Sequence, residues 1–263
     1  MPDGGEMWKC VPMLDCAART DIGLVRSRNE DFLWADARHG WLLLADGMGG
    51  HSSGDLASAL AVNYVLNGLL VAAEKNGKPD YIGALVNSIV DANTVIRSAG
   101  KPSDSNVGHL MGATFVGALL SQTEVAYAYI GDSRLYLLRD GALAQLSHDH
   151  TLVQEFVDAG QLTVDMAQNH PYRGLLTRGL GVHDGAEPDV GICALHPSDR
   201  LLLCTDGLTD MVDEHEIARL LGMPVRADEV AGNLIEAAKS AGGRDNVSVI
   251  VAWFDNQAQY DAN

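Results

Sequence analysis

Between residues 112 and 146 the sequence alternates apolar runs with polar connections of only a few residues. The runs are GATFVGALL, VAYAYIG and RLYLLRD. Connections this short can join antiparallel neighbours, whereas parallel strands need a long crossover. The segment therefore predicts antiparallel hairpins, and this constrains the fold more than any other feature of the chain.

Helical patterns flank these strands in pairs. In residues 81–99, Ile82, Leu85 and Ile89 follow the spacing of one apolar helix face. Further helices are expected at 52–70, 213–221 and 227–240, and further strands at 31–36, 41–46, 200–206 and 246–254. Antiparallel strands with segregated helix pairs predict a layered α+β sandwich.

Composition narrows the function classes. The chain has 263 residues, 47% of them hydrophobic, which suits one domain with a large core and excludes a disordered, collagen-like or coiled-coil chain. Its net charge of −17 opposes nucleic-acid binding, because the phosphate backbone carries the same sign. A phosphorylated substrate stays compatible with this charge, since bound metal ions can reverse the local field.

Several signals predict a reduced, cytoplasmic protein without a membrane segment. None of the four cysteines stands in a C-x-x-C pair, and the N-terminal residues lack the pattern of a secretory signal. The longest apolar run, VSVIVAWF, is well short of the ~20 residues that a membrane helix needs.

The acidic residues fall at strand ends. WLLLADG and RLLLCTDG end apolar runs in Asp46 and Asp206, and Asp132 follows another run directly. Asp245 stands just before an apolar strand, and Glu30-Asp31 begins one. A single Asp-Gly is most often an ordinary turn. As a set, carboxylates beside buried strands need cations, because two of them ~4 Å apart repel by ~4 kcal/mol at an effective dielectric of ~20.

The donor chemistry indicates which cation. Oxygen ligands without Cys or His pairs favour Mg²⁺ or Mn²⁺ over zinc. Two such ions acidify a water molecule and neutralise the oxygens of an in-line phosphoryl displacement. Arg26 could hold the phosphate and His51 could protonate the leaving alkoxide, although each could equally be an ordinary loop residue.

At this point the sequence resembles the metal-dependent protein phosphatases of the protein phosphatase 2C type, in their bacterial form. Blocks that match in order include TDIGLVRSRNEDF, LLLADGMGGHSSGDLAS, MGATFVGALL, AYIGDSRLYLLRDG, LSHDHTLVQEFVDAGQLT, LLTRGLG, LLLCTDGLTDMV and GGRDNVSVIV. The resemblance covers about residues 14–254. Met48 stands where many eukaryotic relatives carry a histidine, and the bacterial form places its histidine at the position of His51.

The resemblance implies a four-layer sandwich of two central antiparallel β-sheets flanked by pairs of antiparallel helices. It implies a phosphatase domain at 14–254 with a flap at about 147–185, an N-terminal extension at 1–13 and a tail at 255–263. The implied cofactors are two Mn²⁺ or Mg²⁺ ions, with a third bound weakly. The implied metal-site residues are Asp46 (bridging both ions), Asp206, Asp245, the Gly47 carbonyl, Glu30, Asp31 and, for the third ion, Asp132.

By the same resemblance, Arg26 binds the substrate phosphate and His51 is the proton donor. The implied reaction is hydrolysis of phosphoserine and phosphothreonine in proteins, without a covalent intermediate. The expected partners are phosphorylated proteins and a cognate serine/threonine kinase, with no nucleic acid and no membrane, and the expected state is a monomer.

Three alternatives remain. GHSSG fits the G-x-S-x-G elbow of serine hydrolases, with Ser52 as nucleophile, but Gly47–Gly50 separates it from the preceding strand. The second alternative is nucleotide binding by the glycine-rich loops, but these loops lack a complete nucleotide-binding motif. A sensor or scaffold on the same fold would need no catalysis, and the retained aspartates argue against it.

Overall fold

The computed structural model describes residues 14–49, 53–75, 79–100, 111–168, 170–182 and 184–254. Within these ranges the strands are β1 Asp15–Asp21, β2 Asp31–Asp36, β3 Trp41–Met48, β4 Gly112–Ala113, β5 Phe115–Leu120, β6 Glu124–Ile130, β7 Arg134–Arg139, β8 Ala142–Gln145, β9 Asp189–Ala194, β10 Asp199–Cys204 and β11 Val247–Phe254. The helices are α1 Gly54–Glu74, α2 Tyr81–Ala99, α3 Leu152–Asp158, α4 Val164–Gln168, α5 Asp206–Thr209, α6 Glu214–Leu221 and α7 Ala227–Ser240.

The strands form two antiparallel sheets. The first sheet has the order β1-β11-β10-β7-β8. The second has the order β2-β3-β5-β6-β9, with the short β4 pairing with β3.

Alternating side chains on the strands build three separate layers of core. Leu42 and Leu44 point between the sheets and meet Leu201 and Leu203 of β10. Leu43, on the opposite face of β3, belongs to the core beneath α1 and α2. A third core lies between the first sheet and helices α5 to α7. Because successive strand residues face opposite sides, each sheet is apolar on both faces. The predicted four-layer α+β sandwich is confirmed.

Helix α1 is long and apolar enough to cross a membrane by length and composition, with a mean hydropathy of 1.7. Its inner face, however, is fully buried at Ala61, Val65 and Leu69, in the core shared with α2 and β3. The helix begins and ends later than the predicted range 52–70. Its apolar character is accounted for in part by this packing.

One predicted hairpin is wrong. β6 and β7 are separated by only three residues, yet β6 pairs in the second sheet and β7 in the first. The chain turns between the sheets at Gly131, whose φ is +104° and where a Cβ would lie 2.7 Å from the Thr114 side chain. Only glycine fits such a turn without strain. The crossing places Asp132 between the sheets rather than at a hairpin tip.

The sequence patterns also missed strands. β1 and β9 are edge strands with mixed exposure, so their apolar signal is weak. The run at 112–120 is broken into β4 and β5 by Thr114, whose backbone N–H donates to the Asp46 carbonyl at 2.8 Å. The predicted segments 1–13 and 255–263 lie outside the described residues.

Candidate metal and active site

Asp31 and Asp46 are directly opposite one another on the antiparallel strands β2 and β3. Asp31 is buried, whereas Asp46 keeps partial contact with solvent. Burial raises the pKa of Asp31 to about 7, with the charge of Asp206 adding to the rise. Burial and then the neighbouring Asp31 raise the pKa of Asp46 well above its usual value. Two carboxyl groups therefore share one end of the second sheet and resist carrying charge together.

The first sheet brings two more acids to the same place. Asp206 begins α5 two residues after the last residue of β10, and Asp245 lies two residues before the first residue of β11. The backbones of the two segments are joined by the Thr205 N–H donating to the Ser248 carbonyl at 3.1 Å. Burial raises the pKa of Asp206 to about 6, and the charges of Asp210 and Asp245 add to it.

Asp132 completes the cluster from the crossing between the sheets. Burial raises the pKa of Asp132 well above its usual value, with further contributions from Asp206 and Asp149, while Arg134 opposes the rise. We call Asp31, Asp46, Asp132, Asp206 and Asp245 the acidic edge. Five acids from distant parts of the sequence thus lie within electrostatic range of one another.

Two buried oxygen atoms of the acidic edge have unused hydrogen-bonding capacity. Asp31 Oδ2 accepts from Ser248 Oγ at 2.6 Å and from Thr205 Oγ1 at 3.1 Å, while its Oδ1 has no partner. Asp206 Oδ1 is also buried without a partner. Buried oxygens are rarely left unpaired, so these two atoms are suited to bind a group from outside the polypeptide. Carboxylate oxygens are the ligands that Mg²⁺ and Mn²⁺ prefer, and the donor set therefore fits such ions.

One carboxylate of the acidic edge is paired with an arginine. Among the residues that the structure describes, no group of three or more acidic, His or Cys side chains is arranged to hold a metal. The Arg26 guanidinium donates to Asp245 Oδ2 at 2.5 Å.

Glu30 and Gly47 lie beside the acidic edge and contact each other through their backbones. The Gly47 N–H donates to the Glu30 carbonyl at 3.1 Å, and Ser58 Oγ donates to the same carbonyl at 2.5 Å. Burial raises the pKa of the Glu30 side chain. The structure therefore brings together all seven residues predicted as metal-site residues, although it does not assign their roles.

The two residues predicted for substrate chemistry have different outcomes. Arg26, on the loop between β1 and β2, reaches the acidic edge with a half-exposed side chain. His51 lies outside the described residues, as does Ser52 of the serine-hydrolase alternative.

The predicted flap lies beside the same site. The Arg173 guanidinium contacts Asp210 at 2.6 Å, next to α5, and a Cβ on Gly179 would lie 3.1 Å from the Met48 side chain. His150, also in this segment, is tied to the turn before Asp132: its Nδ1 accepts from the Gly131 N–H at 3.1 Å. Segment 147–185, predicted as the flap, thus contacts residues next to the acidic edge at Asp210, Met48 and Gly131.

Sequence reasoning missed the uncharged side chains that hold the acids in place. Thr114 Oγ1 accepts from the Asp46 N–H at 3.0 Å and lies 2.7 Å from Ser133 Oγ. Two further hydroxyls, of Thr205 and Ser248, donate to Asp31 Oδ2. The side chain of Asn246 accepts from the Glu30 N–H at the end of the loop that carries Arg26. For Thr205 and Ser248, the available signal was an uncharged polar residue within or next to an apolar run, as in CTDG and VSV.

A four-layer α+β sandwich whose sheets present partly buried carboxylates at one shared edge defines a class of divalent-metal-binding domains. Comparison with known proteins narrows this class. A sequence profile of the family described as Protein phosphatase 2C matches residues 26–233. The chain belongs to the protein phosphatase 2C family.

Its similar relatives include bacterial serine/threonine phosphatases. Serine/threonine protein phosphatase PstP of Mycobacterium tuberculosis is 41% identical over 246 residues, which cover 94% of this chain and 46% of PstP. Serine/threonine phosphatase stp of Listeria innocua is 37% identical over 238 residues, which cover 89% of this chain and 93% of stp. The chain therefore spans less than half the length of the mycobacterial relative.

Among solved structures, the catalytic domain of PstP in complex with two manganese ions matches with a TM-score of 0.79 and 39% identity. The match covers 92% of this chain and 99% of that one. The two-sheet fold of this chain is thus the fold of that catalytic domain.

Proposed function

We propose that this chain is a metal-dependent protein phosphatase that hydrolyses phosphoserine and phosphothreonine. The observation that carries the proposal is the acidic edge with its unpartnered buried oxygens, Asp31 Oδ1 and Asp206 Oδ1. Family membership and the manganese-containing structure of a 39% identical domain support the same chemistry. The cofactors that fit this donor set are two Mn²⁺ or Mg²⁺ ions, which would be held by Asp46, Asp206, Asp245, Asp31, Glu30 and the Gly47 carbonyl. Asp132 would support a third, weaker ion.

When bound, two such ions lower the pKa of a water molecule and neutralise charge on the phosphoryl oxygens. The chain's own residues do the rest. The Arg26 guanidinium, already at the rim of the site, would exchange Asp245 for the substrate phosphate, which it can hold through two parallel N–H bonds. His51 would give its proton to the departing serine or threonine oxygen.

The test is phosphate release from matched phosphoserine, phosphothreonine and phosphotyrosine peptides with Mn²⁺, with Mg²⁺ and with EDTA. We expect turnover of the first two peptides with either metal and none with EDTA. Activity that survives EDTA would contradict the proposal and favour a serine hydrolase.

Asp46→Asn provides the matched control because it keeps the size of the side chain and removes one charged oxygen. We expect it to fold and to lose nearly all turnover. Wild-type-like turnover of Asp46→Asn at saturating Mn²⁺ would contradict the metal-site assignment. No turnover by the wild type with any metal would leave the sensor or scaffold as the better reading.

The biological setting belongs to the same proposal. A phosphoserine/phosphothreonine phosphatase opposes a serine/threonine kinase, so we infer a cognate kinase, a signalling role, phosphorylated proteins as substrates and a cytoplasmic location. A monomer suits a site built entirely from one chain. Co-purification with endogenous kinases and size-exclusion chromatography with light scattering test the partner and the monomer.

A further inference from the structure

Asn246 stands beside Asp245 and bonds to the neighbouring loop with its whole side-chain amide. Its Oδ1 accepts from the Glu30 N–H at 2.9 Å. Its Nδ2 donates to the Ile22 carbonyl at 3.0 Å and to the Arg28 carbonyl at 2.8 Å. One side chain, only 5% exposed, therefore contacts both ends of a single loop.

The loop in question comprises residues 22–30 and carries Arg26; we call it the Arg26 loop. Its first half is also fixed to the segment before Asn246. The Leu24 N–H donates to the Gly243 carbonyl at 2.7 Å, and Gly23, with φ of +79°, leaves no room for a Cβ beside the Asp245 carbonyl. The Arg26 side chain itself contacts the acidic edge at Asp245 Oδ2.

The amide orientation of Asn246 is fixed by its partners. One N–H and two carbonyls surround it, and only an oxygen toward Glu30 with the nitrogen toward the carbonyls satisfies all three groups. An apolar side chain at 246 would leave these three backbone groups without this partner. Because unpaired buried groups are costly, the loop would move to find water or other partners.

We propose that Asn246 is a positioning residue that holds the Arg26 loop against Asp245 and thereby sets where the Arg26 guanidinium meets the substrate phosphate. Asn246 acts through Arg26 and does not touch the reacting atoms. This proposal rests on the proposed function for its kinetic consequence, whereas its structural consequence can be measured without turnover.

The first experiment compares Asn246→Ala with the wild type in steady-state kinetics on a phosphothreonine peptide with saturating Mn²⁺. A mispositioned guanidinium weakens phosphate binding, so we expect KM to rise about tenfold while kcat changes less than about threefold. Asn246→Asp is the second variant, in case the alanine variant does not fold. It keeps the acceptor toward Glu30 but sets an oxygen against two carbonyls, and we expect the same direction of change.

A double-mutant cycle with Arg26→Ala tests whether Asn246 acts through Arg26. If it does, adding Asn246→Ala to Arg26→Ala should raise KM by less than about twofold, because coupled residues are not additive. Independent, multiplying effects on KM would overturn the proposal. An unchanged KM in both single variants at position 246 would overturn it as well.

Amide hydrogen exchange of the metal-free protein separates this proposal from the proposed function. We expect peptides covering residues 22–30 to exchange at least about tenfold faster in the Asn246 variants than in the wild type. Unchanged exchange would overturn the positioning role of Asn246 even if the enzyme is a phosphatase. Faster exchange in a chain without phosphatase activity would support the positioning role and refute only the proposed function.

Ser121→Ala is the matched control. Ser121 is fully buried and also holds a turn, donating to the Glu124 carbonyl at 3.0 Å and accepting from the Glu124 N–H at 3.0 Å. It lies just beyond the end of β5 that is remote from Thr114 and Asp46. We expect lower stability, unchanged KM and unchanged exchange in the Arg26 loop. A KM rise in this variant equal to that of Asn246→Ala would mean that general destabilisation, not positioning, explains the result.

Discussion

Asp31 and Asp46 form a direct cross-strand pair of like charges on β2 and β3. Such pairs destabilise a sheet, and here burial adds to the cost. The neighbouring Ser248 and Thr205 hydroxyls partner only one oxygen of Asp31. We therefore expect the pair to form half of the proposed metal site and to determine how the stability of the protein responds to pH and to metal.

Raised carboxyl pKa values predict the pH dependence of the metal-free protein. Asp31 titrates near 7 and Asp206 near 6 in the folded chain, against an ordinary value of 3.8. Between pH ~4 and ~7 the folded state thus binds more protons than the unfolded state, and this contribution to stability is lost as pH rises through that window. We expect the Tm of the metal-free protein to be lower at pH 8 than at pH 6.

Mn²⁺ should reverse this trend, because the ion displaces the same protons. We expect a larger Mn²⁺-induced rise in Tm at pH 8 than at pH 6 at one metal concentration. Differential scanning fluorimetry measures both quantities. An Mn²⁺-induced rise in Tm that is equal at the two pH values would contradict the acidic edge as the binding site.

Asp206→Asn should separate stability from metal binding. The change removes a buried carboxyl whose pKa is raised, so at pH 8 we expect the metal-free Tm to rise by ~2–4 °C for ~1 kcal/mol. The same variant should lose most of the Tm increase produced by Mn²⁺. Asp228→Asn is the control, since Asp228 pairs with Arg19 on the exposed surface and should leave the metal response intact. A full Mn²⁺ response in Asp206→Asn would remove Asp206 from the site.

His51→Ala should affect substrates according to their leaving group. A serine alkoxide needs protonation more than an aryl oxide does, and general acids contribute ~10²–10⁴-fold. We expect kcat to fall much more for a phosphoserine peptide than for p-nitrophenyl phosphate. Equal losses on both substrates would exclude His51 as the proton donor.

Thr114→Val should weaken the connection between the sheets. The hydroxyl accepts from the Asp46 N–H and contacts Ser133 Oγ, and Thr114 is only 3% exposed. Leaving these groups unpaired should lower the free energy of unfolding by ~1–3 kcal/mol, measured by urea denaturation. The exposed Thr94→Val on α2 should change it by less than ~0.5 kcal/mol. Similar losses in both variants would contradict a special role for Thr114.

The layers of the fold could be predicted because the period of the apolar residues and the length of each apolar run determine which segments form helices and which form strands. The apolar face of α2 and the buried runs of β3, β10 and β11 are strong local signals. The pairing of β6 and β7 with different sheets could not be predicted, because it depends on how Gly131 packs against Thr114.

The acidic residues of the site could be predicted from the sequence, but the uncharged residues that hold them in place could not. Asp46, Asp206 and Asp245 are conspicuous because each carries a charge beside an apolar strand. Asn246 gives no comparable signal, since its importance comes from three backbone groups that approach it only in the folded chain.

Each sheet of the sandwich supplies part of the acidic edge: Asp31 and Asp46 come from one, and Asp206 and Asp245 adjoin strands of the other. Neither half alone offers enough oxygens for a tight divalent site. Metal affinity would therefore report whether the two sheets have docked, and bound ions would hold the sheets together at this edge. Along an unfolding path, release of metal should precede or accompany the parting of the sheets at this edge.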